Sequence, residues 1–294
     1  MRRILTLAVL AGAVIALAGL WITRPRTVEA ARFAALEGDA VAGERLFWAA
    51  GCASCHAVPD SDDKLTLAGG ERFATPFGTF VAPNISMDPG QGIGGWNLAE
   101  FASALLEGTS PEGQHYYPAF PYSTYTRMSD QDVAHLWAFF RTLPADPTPS
   151  QPHELGFPFN IRLSLGGWKL LYLNRDWVAE AGTPELESGR YLVEALGHCS
   201  ECHTPRNALG GLNRDAWLTG APNPAGKGEV PGLHPDQLGW SIEDMVYYFQ
   251  TGLTPDYDSV GGAMAEVIEG LSTLPEEDLR AIARYLGSLP PSGH

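Results

Sequence analysis

All four cysteines of the 294-residue chain lie in two copies of one five-residue pattern. The first copy is Cys52-Ala53-Ser54-Cys55-His56, and the second is Cys199-Ser200-Glu201-Cys202-His203. Two cysteines at this spacing can each add to one vinyl group of a haem, and the histidine that follows can bind the iron. The sequence therefore predicts two covalently bound haem c groups, with His56 and His203 as iron ligands.

Other chemistries of paired cysteines explain less of the pattern. A disulfide or a redox-active pair does not require a histidine directly after the second cysteine, yet it occurs both times. One zinc ion held by both pairs would leave His56 and His203 without a role and would have to bring together pairs that are distant in sequence. Haem attachment is the interpretation that uses every residue of both motifs.

The segments around the two motifs also repeat. Residues 43–47 correspond to 189–193, and both are predicted to form a short helix that runs into the motif. Residues 96–100 correspond to 240–244, where a cap residue is followed three positions later by a carboxylate, as at a helix start. A predicted apolar helix ends each copy, at 132–143 before Pro144 and at 277–289 before Pro290.

Each copy resembles a class I cytochrome c domain. This resemblance implies an all-α fold with two tandem domains at 33–146 and 186–292, joined by a linker at 147–185. It also implies that Gly43 and Gly189 allow close helix approach, against Phe139 and Tyr285 of the closing helices.

The chain from about 33 to 292 resembles the haem-bearing subunits of membrane-bound periplasmic dehydrogenases that oxidise alcohols, aldehydes or gluconate. The segments that carry this likeness are 83–85, 92–96, 117–122 and 202–207. Such subunits commonly carry three haems, whereas this chain has motifs for two.

A methionine sulfur usually closes the iron of an electron-carrying cytochrome and raises its reduction potential. Met264 lies 61 residues after His203, in Gly261-Gly262-Ala263-Met264 before the closing helix. This spacing and context resemble those of the axial methionine of the family, so we expect Met264 to be the sixth ligand of haem 2. When Gly108 is aligned with Gly252, Phe120 falls at the position of Met264. We therefore expect Met128 to be the sixth ligand of haem 1, with His115, Met87 and an open site as alternatives.

Two further features concern the haem surroundings. A backbone carbonyl within 76–83 is expected to orient the first haem histidine through its second ring nitrogen. Trp96 and Trp240 are cofactor-binding candidates, because each could donate its indole N–H to a haem propionate. The alternative is that both pack as hydrophobic staples on the helices they precede.

The N-terminal 30 residues predict a membrane segment. Residues 4–23 carry no charge and, at 1.5 Å per residue, would form a helix about as long as the bilayer core is thick. We expect an uncleaved transmembrane anchor, although Val28-Glu29-Ala30 resembles a signal-peptide cleavage site. A second apolar segment, 161–173, is too short to span; it is expected to pack on the domains, with the bilayer surface as the alternative.

The formal charge of −15 argues against a nucleic-acid surface. The acidic charge either steers a basic partner protein toward this one or keeps the protein soluble.

The leading hypothesis is a membrane-anchored electron-transfer protein on the periplasmic side. Its donor would be a dehydrogenase subunit or quinol oxidoreductase, and its acceptor a soluble cytochrome or terminal oxidase. The alternative is a di-haem peroxidase-like enzyme with an open site at haem 1.

Overall fold

The structure, a computed structural model, describes residues 2–223, 226 and 228–293. It is mostly helical, as predicted. The helices are α1 (Arg2–Ile22), α2 (Ala40–Ala49), α3 (Cys52–His56), α4 (Leu98–Glu107), α5 (Tyr122–Tyr125), α6 (Asp130–Phe140), α7 (Ser164–Tyr172), α8 (Pro184–Tyr191), α9 (Ser200–His203), α10 (Pro235–Leu238), α11 (Ile242–Thr251), α12 (Ala263–Leu271) and α13 (Glu276–Gly287). We call residues 33–146 the first half and 186–292 the second half.

In the first half, α2 crosses the closing helix α6 at a glycine. A Cβ built on Gly43 would lie 2.0 Å from the carbonyl oxygen of His135 and 2.8 Å from Cβ of Phe139. Only a residue without a side chain fits this crossing, so the expected role of Gly43 is confirmed.

The second half repeats the crossing with α8 and α13. A Cβ on Gly189 would lie 2.1 Å from the carbonyl oxygen of Ala281 and 2.7 Å from Cβ of Tyr285. One detail differs, because the helix continues beyond α8 as a π-helical turn, Leu192–Leu196. Such turns are rare and often occur at functional sites.

The predicted capping boxes are present at α4 and α11. The Asn97 side chain accepts from the backbone N–H of Glu100, whose side chain accepts from the N–H of Asn97. Ser241 and Asp244 do the same at α11. The two helices also end alike, at glycines in the left-handed conformation.

Short strands depart from the predicted all-α fold. An antiparallel sheet in the order β1-β2-β3 joins β1 (Arg72–Thr75), β2 (Gly78–Val81) and β3 (Glu154–Leu155). A second antiparallel pair joins β4 (Ala221–Pro222) and β5 (Glu229–Val230). The long loop after each motif contains paired strands of two to four residues. Strands this short cannot be predicted from the alternation of apolar and polar residues.

The linker is attached to the first half along much of its length. Its start is extended, and the Asn84 side-chain amide donates to the carbonyl oxygens of Asp146 and Thr148, at 2.8 and 2.7 Å. Helix α7 packs only in part, since Leu165 is 8% exposed whereas Leu171 is 67% exposed. The expected packing of this apolar segment is therefore found on one of its faces.

Helix α1 has 21 residues and a mean hydropathy of 2.4, so it is long and apolar enough to cross a membrane.

In the rest of the described chain, one continuous cluster of buried apolar side chains extends through both halves and includes Phe47 and Tyr285. The two halves therefore share a core.

Candidate haem-binding sites

The first motif forms α3, which follows directly on α2. Gly51 between them has φ 63°, a left-handed conformation that favours glycine and allows the sharp change of direction. His56 ends α3, and its Nδ1 lies 2.9 Å from the carbonyl oxygen of Pro83. The expectation of a carbonyl within 76–83 is met, and Nε2 is the ring nitrogen left for the iron.

The second motif forms α9 in the same way. Nδ1 of His203 lies 2.7 Å from the carbonyl oxygen of Pro231. The histidine carbonyls are also held alike, since Gly69 donates to His56 and Gly220 donates to His203, both at 2.8 Å. Hydrogen bonds within the protein thus hold both the ring and the backbone carbonyl of each histidine.

Burial shifts the pKa values of side chains in both motifs. Burial lowers the pKa of His56 and of His203, which favours the neutral imidazole that binds a metal. Burial raises the pKa of the Cys52 thiol and of the Cys199 thiol to about 12. All four cysteines are free of disulfides. No group of three or more His, Cys, Asp or Glu side chains that could hold a metal ion is found among the residues the structure describes.

The second half places Met264 in the first turn of α12, half-buried and packed against the core. Matching hydrogen bonds fix the register between the halves, because Tyr116 donates to the carbonyl of Gly108 and Val260 donates to that of Gly252, both at 2.7 Å. Counting onward from these turns puts Phe120 at the position of Met264. Phe120 lies in the turn before α5, whereas Met264 lies within α12, so the equivalence of the two positions rests on this count.

Met128 is 4% exposed and directly precedes Ser129, the cap of α6. The residue before the corresponding cap in the second half is Leu274, which is 6% exposed. Met128 thus occupies a position where the other half has an apolar packing residue. Its role as an iron ligand stays a prediction.

The two alternative ligands are engaged elsewhere. Nε2 of His115 lies 3.0 Å from the carbonyl oxygen of Thr23, just beyond α1. Met87 is half-buried on a loop, where its backbone N–H donates to the carbonyl of Pro144 at 3.1 Å. An iron bond from Nε2 of His115 would replace this contact, whereas the hydrogen bond of Met87 engages only its backbone and leaves the thioether as an untested alternative.

Three tryptophans differ in how their indole groups are placed. Trp96 and Trp240 are half-buried against the core, next to the helices they precede. Trp217, which sequence reasoning missed, is 7% exposed, and its indole Nε1 is buried without a hydrogen-bond partner in the described part of the chain. A buried donor without an acceptor is costly, and a haem propionate would satisfy it. The second half therefore fits a haem in this respect.

A buried carboxylate lies beside the second motif and was also missed. Glu194, in the π-helical turn, is 1% exposed. It accepts from the backbone N–H groups of Val178 and Ala179, at 2.7 and 3.2 Å, and from the hydroxyl of Tyr285. The sequence signal was a lone glutamate within an apolar helix.

Each motif lies against the other half of the chain. Ser54 Oγ, in the first motif, donates to the carbonyl oxygen of Glu266 in α12 at 3.1 Å. Ser123 Oγ, in α5, donates to a carboxylate oxygen of Glu201, in the second motif, also at 3.1 Å. The rings of Tyr125 and His198 lie 6.1 Å apart across the same contact.

Comparison with known proteins agrees with this geometry. A family model described as Cytochrome c matches residues 40–144. The chain is 55% identical to a diheme cytochrome c-type protein of Cereibacter sphaeroides, over 99% of both chains. It is 40% identical to the fructose dehydrogenase cytochrome subunit of Gluconobacter japonicus, over 84% of this chain and 52% of that protein. It is 33% identical to the cytochrome c subunit of an alcohol dehydrogenase (quinone) of Gluconacetobacter polyoxogenes, over 90% and 61%.

The protein is therefore a c-type cytochrome with two covalently bound haem c groups. Specifically, it belongs to the family of di-haem cytochromes c that is homologous to the cytochrome subunits of these dehydrogenases. It is an electron-transfer protein, as predicted. It spans about half to three fifths of the length of those dehydrogenase subunits.

Proposed function

We propose that this cytochrome is a membrane-anchored relay with both irons closed. It comprises two tandem cytochrome c domains, 33–146 and 186–292, joined by the linker 147–185. It receives electrons from a periplasmic dehydrogenase subunit or a quinol oxidoreductase and passes them to a soluble cytochrome or a terminal oxidase. Each haem, when bound, supplies an iron that takes up and releases one electron.

The residues assigned to the cofactors follow from the motifs. Cys52 and Cys55 hold haem 1, and Cys199 and Cys202 hold haem 2. His56 and His203 bind the irons through Nε2, because Nδ1 of each faces a carbonyl oxygen. The sixth ligands are Met264 at haem 2 and Met128 at haem 1.

The observation that carries the relay is that each motif contacts the other half of the chain. The hydrogen bond from Ser54 to Glu266 joins the first motif to the helix of Met264. The hydrogen bond from Ser123 to Glu201 joins α5 to the second motif. Both cofactor-bearing segments therefore lie at one shared surface between the halves, which favours electron transfer between two haems of the same molecule.

The dehydrogenase partner is supported by the relatives, two of which are named as dehydrogenase cytochrome subunits. The anchor is supported by α1, whose length matches a bilayer core and whose candidate spanning window has no residue buried inside the protein. With the anchor uncleaved, both haem domains would lie on the periplasmic side.

Substitution of Met264 tests the closed site at haem 2. We expect Met264→Ala to lower the reduction potential of haem 2, because a thioether ligand favours ferrous iron. The reduced variant should bind one carbon monoxide per two haems. Met245→Ala is the matched control, since Met245 is buried inside α11 and should change neither property. An unchanged potential and no carbon monoxide binding in Met264→Ala would remove Met264 from the iron.

Carbon monoxide stoichiometry also separates the relay from the peroxidase-like alternative. The unsubstituted reduced protein should bind none, and Met128→Ala should bind one per two haems. Binding of one by the unsubstituted protein would show an open haem and favour the alternative, which is motivated by Phe120 at the position of Met264.

Trp217 offers a separate test of haem 2. If its indole N–H donates to a propionate, Trp217→Phe removes that donor while keeping an aromatic ring in the buried position. We expect the potential of haem 2 to fall, because the negative charge of the propionate is then less well compensated. Trp177→Phe is the control, because Trp177 is 37% exposed and has no assigned haem contact; an equal shift in both variants would contradict the assignment.

A further inference from the structure

An unusual set of exposed apolar side chains lies in the linker. Between 157 and 171, four large apolar side chains at alternate positions of the first stretch are exposed, and so are two consecutive leucines near the end of α7. We call these six residues the apolar strip: Phe157, Phe159, Ile161, Leu163, Leu170 and Leu171, which are 41–82% exposed. Single exposed apolar residues are ordinary, but a run of this kind within one segment marks an interaction surface.

The strip lies next to the end of the membrane helix. Helix α1 ends at Ile22, and a Cβ built on Gly166 of α7 would lie 2.1 Å from the carbonyl oxygen of Thr23. His115 holds the same carbonyl oxygen at 3.0 Å through Nε2. The chain that leaves α1 is thus clamped between α7 and the first half, which places the strip at the level where α1 ends.

The strip carries no charge that faces outward. Its segment contains two ionisable residues, and both are engaged with the first half. Arg162 donates to the carbonyl oxygen of His115 at 3.0 Å and lies 4.7 Å above the ring of Tyr117. Lys169 donates to the carbonyl oxygens of Glu107 and Gly108, at 2.7 and 2.6 Å. Covering the strip with an apolar phase would therefore desolvate no free charge.

The residues that join α1 to the first half suit a membrane interface. Trp21 is the last aromatic residue of α1, and the guanidinium of Arg24 lies 4.9 Å from the centre of its ring. Tryptophan and arginine are favoured at the level of the lipid headgroups. The strip thus continues a surface that already has the composition of an interface.

We propose that the apolar strip lies in the headgroup region of the bilayer and gives the protein a second membrane contact beside α1. This inference rests on the proposed anchoring by α1. The occupant is lipid because the strip adjoins the end of the spanning helix and its segment presents no acidic side chain. The second contact would fix the orientation of the haem domains relative to the membrane, which a single helix with a short connection does not do by itself.

Spin-label accessibility in liposomes tests this orientation. The four native cysteines are taken up by the haems, so an introduced cysteine is a unique site for a nitroxide. The full-length holoprotein carries the label at Leu171→Cys, at Val9→Cys in α1, or at Val41→Cys, whose native residue is 80% exposed on α2. We measure the ratio of collisions with oxygen to collisions with a water-soluble nickel chelate, in phosphatidylcholine–phosphatidylglycerol liposomes. An unchanged Soret absorbance per polypeptide verifies that both haems are attached.

We expect the ratio at 171 to exceed that at 41 several-fold and to stay below that at 9, which lies deeper in the bilayer. A ratio at 171 equal to that at 41, with a high ratio at 9, would overturn the inference and leave the anchor intact. A low ratio at 9 would remove the anchor and the inference together. A label at 171 that is accessible to nickel in liposomes but immobilised by an added dehydrogenase would assign the strip to a protein partner, which also overturns the proposal.

Discussion

The crossing of α2 and α6 gives a prediction whose size can be worked from the structure. Gly43→Ala adds one Cβ at a place where the nearest atom is a backbone oxygen, that of His135, at 2.0 Å. A backbone oxygen cannot turn away as a flexible side chain can. The two helices must therefore part or shift along each other, and the start of the segment that leads to Cys52 must move with α2.

The magnitude follows from the required displacement. Carbon and oxygen atoms that are not bonded need roughly 3 Å or more, so the helices must move by about 1 Å. Overpacking of this kind costs about 1–3 kcal/mol, and the upper end is expected because the clash is with backbone. Alanine favours a helix over glycine by about 1 kcal/mol, which leaves a net loss of about 2 kcal/mol. For a chain of this size, the melting temperature should fall by about 4–8 °C.

The assay is thermal unfolding of the holoprotein in detergent, followed by far-ultraviolet circular dichroism and by Soret absorbance. Gly167→Ala is the matched control, since it lies inside α7 with no atom within 4 Å of an added Cβ. This control should be unchanged or stabilised by up to about 1 kcal/mol. If Gly43→Ala melted no lower than Gly167→Ala, the close approach of α2 and α6 would be wrong.

Two further predictions concern charged groups. Arg45→Met removes both hydrogen bonds, each 2.5 Å, to the buried carboxylate of Asp278 across the halves. We expect this change to lower the free energy of unfolding in urea by about 2 kcal/mol. Arg280→Met, at an exposed ion pair, should lower it much less, and equal losses would refute the reasoning. The side chain and backbone of Ser241 lower the pKa of Asp244, so the contribution of this cap is present above pH 3.8, the ordinary carboxyl pKa, and is lost as the pH falls through the lower folded value. The stability difference between the unsubstituted protein and Asp244→Asn should therefore shrink between about pH 5 and pH 2, and a constant difference would contradict this linkage.

Much of the chemistry of this protein could be predicted from local sequence. The five residues of each motif specify haem attachment because the two thiols and the imidazole are arranged by one short turn of helix, whatever surrounds it. The caps at Asn97 and Ser241 are equally local, since each joins groups three residues apart. The glycines of the two crossings were expected from the family, and the structure supplies the distances that make them necessary.

Other features depended on partners that are distant in the chain. The strands pair segments whose few residues carry no periodicity, and the pairing of β2 with the linker strand β3 joins parts of the chain that the sequence had assigned to different units. The orphaned indole of Trp217 and the buried carboxylate of Glu194 are defined by what surrounds them. No local pattern distinguished Trp217 from Trp240.

The sequence by itself determined the cofactor, the number of haems and the likeness between the halves, because those depend on residue types at short spacing. Only the tertiary structure decided how the halves meet, with Ser54 against α12 and Ser123 against the second motif. It also decided which face of 157–171 is exposed, since Arg162 and Lys169 turn toward distant carbonyl oxygens. The physical reason is that a contact between remote segments needs both segments in place. A short stretch of sequence contains only one of the two partners, so the packing of the whole chain decides which contacts form.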